Sequence, residues 1–231
     1  MRLSPCSWLG VSSGSWWRLL ALSSLATMIK VIAFSTNEYY QRLSMRLEAS
    51  LSKYGIPYEF RRFEHPGSWH KAVSMKPQFI RDMLAETSLE GVLYLDADAE
   101  VHAPLPLEIL DGVDIAWTNF QRSPNHPNEC LTGTMFFRKS DEVLRLIDAW
   151  IERLSIWAHS STPEQDAFKQ MFLDLKPSVM CMDLGPSWTY IYDDFQQLFP
   201  NVRPFIVHYQ ASRDYRAREI RDEKAKAKEV R

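Results

Sequence analysis

Two aspartates, Asp96 and Asp98, stand one residue apart directly after the apolar run Val92, Leu93, Tyr94, Leu95. An unbroken apolar run bounded by acids reads as a buried strand, and its end is where carboxylates meet water or a ligand. In extended backbone, residues i and i+2 point the same way. Both carboxylates can therefore approach one cation, or one can hold the metal while the other binds a ligand hydroxyl. The oxygens of a bound diphosphate would complete such a shell around magnesium or manganese, and the cation would neutralise charge on a departing nucleoside diphosphate. The plainer alternative is that both aspartates end the strand and bind water, because Asp is common in turns.

The elements that must position these residues alternate between strand and helix from Met28 onward. Residues 30–35 are β-rich; Leu43, Leu47, Leu51 and Tyr54 then recur at helical spacing until Gly55 stops the helix. Residues 58–63 read as a second strand and 75–84 as a helix with Pro77 in its first turn. Short strands are expected at 113–117 and 134–138, around the loop NFQRSPNHPNECLTG, which is polar, proline-punctuated and expected to be exposed and mobile. Ser140 caps an amphipathic helix carrying Val143, Leu146, Ile147, Trp150, Ile151 and Leu154 on one stripe. Thr162, Pro163 and Gln165 mark the start of the next helix, PEQDAFKQMFLD, with Gln165 as its capping residue. Strands at 178–182 and 205–207 follow, and no internal repeat is present. Such alternation predicts an α/β sandwich with a largely parallel sheet and ligands beyond the carboxyl ends of its strands. Asp96 and Asp98 sit at such an end.

At 231 residues, with 45% hydrophobic and 24% charged content, the chain can bury a proper core and fits one domain, expected over residues 28–212. A net charge of −2 gives nucleic acid no electrostatic support as a partner. Cys6, Cys130 and Cys181 lie far apart and form no CxxC pair, so neither a disulfide framework nor a zinc cage is indicated, and a reducing, cytoplasmic setting is the simpler expectation. Residues 1–27 read as an extension. Their apolar run at 19–26 is too short to span a bilayer, and Arg18 with scattered serines makes a poor secretory signal. Trp16, Trp17 and that run could touch a membrane surface, without a basic amphipathic face to support it. Residues 213–231 hold eight basic and five acidic residues with few large apolar ones, which suits a solvated helix or a frayed end.

From Met28 to about Arg213 the sequence resembles the GT-A fold glycosyltransferases, and among them the small enzymes of the glycogenin and lipopolysaccharide galactosyltransferase type. The resemblance is carried by FSTNEYY after the first strand, WHKAVSMKPQFI, YLDADAEV, LTGTMFFR, PEQDAF and a late IVHYQASR, in that order. It implies a Rossmann-like α/β/α sandwich, a nucleoside diphosphate sugar donor (most often a uridine diphosphate sugar), Mn2+ or Mg2+, and a hydroxyl acceptor in a glycan, lipid or protein. By the same resemblance Asp98 and His208 are metal ligands, and Asp96 touches the ribose or shares the metal. Thr36 and Tyr39 contact base and ribose, with Tyr40 an equal candidate for the stacking ring. Lys76 lies near the nucleotide, behind a loop bearing Trp69, His70 and Lys71. Thr132 and Gly133 border the sugar, with a strand bulge as the structural alternative. Asp166 and then Glu164 face the transferred sugar or the acceptor. Ser212 and Arg213 stand where diphosphate contacts are expected, although the glycine and lysine usual in that segment are missing.

Two other readings start from the same residues. A strand followed by DxD also opens the haloacid-dehalogenase phosphatases, in which the first aspartate is a nucleophile and a later acidic pair, here Asp193 and Asp194, holds magnesium. That family places the motif on its first strand, whereas here two candidate strands and two helices precede it. A non-catalytic nucleotide-sugar-binding protein would keep the fold and bind the donor without turnover.

Overall fold

The computed structural model describes residues 29–211 together with Arg213. The extension at 1–27, Ser212 and the tail beyond Arg213 lie outside the described residues. In chain order the elements are β1 (Ile29–Ser35), α1 (Glu38–Lys53), β2 (Tyr58–Arg62), α2 (Trp69–Ser74), α3 (Lys76–Glu86), β3 (Gly91–Leu95) and β4 (Ala99–Val101). They continue with β5 (Ile115–Phe120), β6 (Glu129–Arg138), α4 (Asp141–Arg153), α5 (Pro163–Leu175), β7 (Cys181–Asp183), β8 (Tyr190–Ile191), α6 (Tyr192–Leu198) and β9 (Ile206–His208). The main sheet has the order β2-β1-β3-β6-β5-β7. Only β6 runs against the other strands, so the expected α/β architecture with a mostly parallel sheet is the one observed.

β3 is buried along its whole length, as its unbroken apolar run requires. Its alternate residues feed two cores. Val92 and Tyr94 pack with Phe79 and Ile80 of α3, Ile147 and Trp150 of α4, and Phe168 of α5. Leu93 and Leu95 point to the opposite face, against Leu47 and Leu51 of α1 and against Ala99, Val101 and Ile206 of a second sheet. That second sheet has the order β4-β9-β8 and forms part of the layer on this face.

Local sequence signals account for most helix ends. Asn37 caps α1 by accepting from the Tyr40 N–H, and Gly55, at φ +65, lets the chain leave after Tyr54. Ser140 caps α4 by accepting from the Val143 N–H at 3.2 Å. Three details differ from expectation. Trp69 to Lys71 lie in α2, capped by Ser68, because Trp69 and Ala72 have a core to enter. β6 begins at Glu129, so the expected 119–133 loop shrinks to a turn whose residues bond one another, with Gln121 donating to His126 O at 2.8 Å. At α5 no side chain caps the helix start as expected of Gln165; instead the Asp166 carboxylate accepts from the hydroxyls of Ser160 and Thr162 just before it. Among the described residues no helix is long and apolar enough to cross a membrane.

The pairing of β3 with β6 depends on a bare glycine. A Cβ on Gly91 would lie 2.7 Å from Phe137 O and 2.8 Å from the Phe136 ring. Gly91→Ala should therefore lower stability by about 1–3 kcal/mol, the usual range for overpacking, read as a lower midpoint in urea unfolding with an unchanged slope.

Candidate metal and ligand site

Where β3 ends, the chain enters a cavity of about 320 Å³ whose walls include Thr36, Tyr40, Trp69, Lys76, Asp96, Asp98, Thr132, Gly133, Glu164 and His208. Its floor is made by strand register. β4 lies antiparallel to β9 with Ala99 opposite His208, which brings a histidine from the far end of the domain beside Asp98. Gln210 then takes a left-handed φ of +52, and the turn it makes carries the Ala211 N–H to Asp98 Oδ2 at 2.8 Å.

Asp96, Asp98 and His208 each place one ligand atom within 4.8 Å of the others, the one such group among the described residues. In each of the three, one polar atom is already held and the other is open. Asp96 Oδ1 accepts from the Tyr94 hydroxyl at 2.8 Å and pairs with Lys76 Nζ at 3.2 Å. Asp98 Oδ1 lies 3.8 Å from His208 Nδ1, while Oδ2 is held by Ala211. His208 Nε2 is 2.9 Å from the Thr134 hydroxyl, which in turn is 2.8 Å from Trp188 O. A carbonyl can only accept, so the Thr134 proton goes to Trp188. The hydroxyl must then accept from His208 Nε2–H, so that in the neutral ring it is Nδ1, on the side of Asp98, that carries the lone pair.

Gly133 completes the cradle. Its position opposite Asp96 is fixed by the Asp96 N–H bond to Gly133 O at 2.9 Å. A Cβ there would sit 3.1 Å from both Asp96 Oδ2 and His208 Nδ1. The pairing of β5 with β6 jumps from Trp117↔Met135 to Thr118↔Leu131, so Thr132, Gly133 and Thr134 have no partner on β5. This bulge turns one hydroxyl to Lys76 and the other to His208. Two carboxylates and a neutral imidazole with outer partners fit a hard to borderline divalent cation.

Behind this cluster lies a buried ion network. Lys76, 2% exposed, reaches Asp96, Thr132 Oγ1 at 3.1 Å, Thr132 O at 3.2 Å and Glu164 Oε1 at 3.4 Å. Burial opposes its charge, but the carboxylates of Asp96 and Glu164 outweigh that and hold its pKa above the ordinary lysine value. Burial first, and then the Asp96 charge, push the Tyr94 phenol well up, so its proton stays in the bond to Asp96. Three carboxylates (Asp96, Asp98 and Glu164) face one ammonium, an excess of negative charge that suits a cation. Glu164 Oε2 is buried with no hydrogen-bond partner among the described residues.

The remaining expected residues divide by position. Thr36 and Tyr40 line the cavity. Tyr39 does not, and its ring meets Tyr40 edge-on at 5.4 Å. Glu164 lines it, whereas the Asp166 carboxylate is engaged at the start of α5. Arg213 lines it and binds Asp194, while Asp193 is exposed, so this acidic pair does not join Asp96 and Asp98. Tyr94 and Thr134 are site residues that the sequence reading missed. Both were within reach of the two-residue period, Tyr94 two before Asp96 and Thr134 two after Thr132.

No protein-family model matches the sequence, and no curated protein matches it. Among solved structures the chain is similar to a glycosyltransferase involved in the glycosylation of the major capsid of PBCV-1, at 15% identity and a TM-score of 0.62. The likeness covers 84% of this chain and 98% of that one. It shows a shared fold.

The outer partners should control cation affinity. Thr134→Val removes the group that fixes the His208 tautomer and should weaken Mn2+ binding by about 10- to 100-fold in calorimetric titration. Gly133→Ala should weaken it as well, because the added methyl crowds two ligand atoms.

Proposed function

We propose that the protein is a metal-dependent glycosyltransferase that moves a sugar from a nucleoside diphosphate sugar, with uridine as the base, to an acceptor hydroxyl. The observation that carries this reading is one cavity that joins a candidate cation site with Glu164, a buried carboxylate with one unpartnered oxygen, in a fold shared with a glycosyltransferase. Asp96, Asp98 and His208 would hold the cation, for which the mixed oxygen and nitrogen set favours Mn2+ over Mg2+. When bound, it would neutralise charge on the departing diphosphate.

The chain's own residues do the rest by position. Thr36 and the Tyr40 ring, beside the end of β1, receive ribose and base. Lys76 does not stand open to a nucleotide; it orients Asp96 and Glu164. In the transfer, the acceptor oxygen bonds to the anomeric carbon and the bond from that carbon to the diphosphate oxygen breaks, its electron pair leaving with the diphosphate. The hydroxyl proton passes to the carboxylate of Glu164, which lines the cavity and whose Oε2 has no hydrogen-bond partner among the described residues.

Release of uridine diphosphate from a panel of its sugars, with Mn2+ and with or without simple alcohol acceptors, tests the proposal. Metal-dependent release is expected, and Glu164→Gln should slow it by about 10² to 10⁴ while leaving nucleotide binding intact. Hydrolysis of simple phosphate esters with no release from any sugar donor would instead favour phosphatase chemistry.

A further inference from the structure

The sheet order separates the cavity into two sides. Thr36 and Tyr40 follow β1, which lies next to β3 on one side; Arg122 follows β5, two strands from β3 on the other. With strands spaced about 4.8 Å, β1 and β5 stand roughly 14 Å apart. A nucleotide seated over β1 therefore leaves the β5 side for the second substrate. On that side Arg122 Nη2 and Arg213 Nη2 converge on a single oxygen, Asp194 Oδ2, at 3.1 and 2.7 Å. All three residues line the cavity.

Two guanidinium groups share the Asp194 carboxylate, so neither has that carboxylate to itself. The arginine side chains are 42% and 49% exposed, so each keeps N–H donors directed away from Asp194. Arg122 is also placed before any ligand arrives. Its guanidinium lies 5.8 Å from the Phe120 ring centre, on a turn held by bonds from Gln121 to His126 O and between Ser123 and His126 at 2.7 Å. A planar fork that is already positioned suits a bidentate oxyanion. Glu129 lies on the same rim and can accept from hydroxyls beside such a group.

We propose that Arg122 and Arg213 form a subsite for a phosphate or carboxylate on the acceptor, so that the substrate receiving the sugar is an anionic hydroxyl compound. The word acceptor rests on the transferase reading; the binding of an anionic sugar does not. Calorimetric titrations of glucose 6-phosphate, glucuronate and glucose into the full chain test it, with uridine diphosphate and Mn2+ titrated in parallel.

At least one anionic sugar should bind about tenfold or more tightly than glucose, and which one does so distinguishes phosphate from carboxylate. Arg122→Ala should abolish that preference while leaving uridine diphosphate binding unchanged. Asp194→Asn, which removes the internal competitor, should strengthen anionic sugar binding severalfold, whereas a purely structural ion pair would leave it equal or weaker. Equal binding of all three sugars to the wild type would overturn the subsite. So would a loss of uridine diphosphate binding in Arg122→Ala, which would give the arginines to the donor. Anionic sugar binding that persists while uridine diphosphate fails to bind would remove the transferase reading and leave the subsite standing.

Discussion

The antiparallel pairing of β4 with β9 is the constraint on which the rest of the site depends. Ala99 opposite His208 is one step in a three-residue ladder, yet it decides whether a late imidazole meets the aspartates at the end of β3. Like charges make this meeting unfavourable on its own, because Asp96 and Asp98 repel each other. The small sheet is stabilised elsewhere. Val101 and Ile206 pack with Leu93 and Leu95 beneath the main sheet, and Trp188 closes the same core while its carbonyl fixes Thr134. Hydrophobic burial of the small sheet thus holds three ligand atoms in a geometry they would not choose themselves.

The charges around the cluster are arranged to keep one atom of each ligand open. Lys76 is costly to bury alone, and its ion pairs with Asp96 and Glu164 are what make its charge tolerable there. In return the lysine holds one oxygen of each carboxylate, Asp96 Oδ1 and Glu164 Oε1. Tyr94, Ala211 and Thr134 do the same for Asp96, Asp98 and His208 from three different elements. A bulge in β6 supplies the last of these. Because Thr132, Gly133 and Thr134 have no partner on β5, they serve the site in place of the ladder.

What was legible in the sequence was local. The run Val92 to Leu95 identified a buried strand, and the two-residue spacing of the aspartates placed both at its end. Gly55 and Ser140 marked helix boundaries through their own backbone needs. β4, β8 and β9 are two or three residues long, too short to show a period, and their pairing depends on distant partners. His208 was reached through family resemblance, since no pattern around it points to Asp98. Glu164, Gln165 and Asp166 share the first turn of α5, and how the helix is rotated decides that Glu164 and Gln165 line the cavity and Asp166 does not. Packing of Phe168 against Trp150, and the bond from Trp150 Nε1 to Glu164 O at 2.8 Å, settle that rotation. The choice between Tyr39 and Tyr40 is decided in the same way by the seating of α1.

We propose that β3, β4 and β9 together build a cation site that seats a nucleoside diphosphate. The most direct test is a thermal-shift titration of uridine diphosphate with and without Mn2+, on the wild type and on Asp98→Ala. At a millimolar concentration of a ligand that binds at micromolar concentration, stabilisation of about 4 kcal/mol is expected, enough for a clear shift. The expected result is a shift that needs Mn2+ and disappears in the variant. A shift of equal size without metal, or one that survives in a folded Asp98→Ala protein, would contradict it.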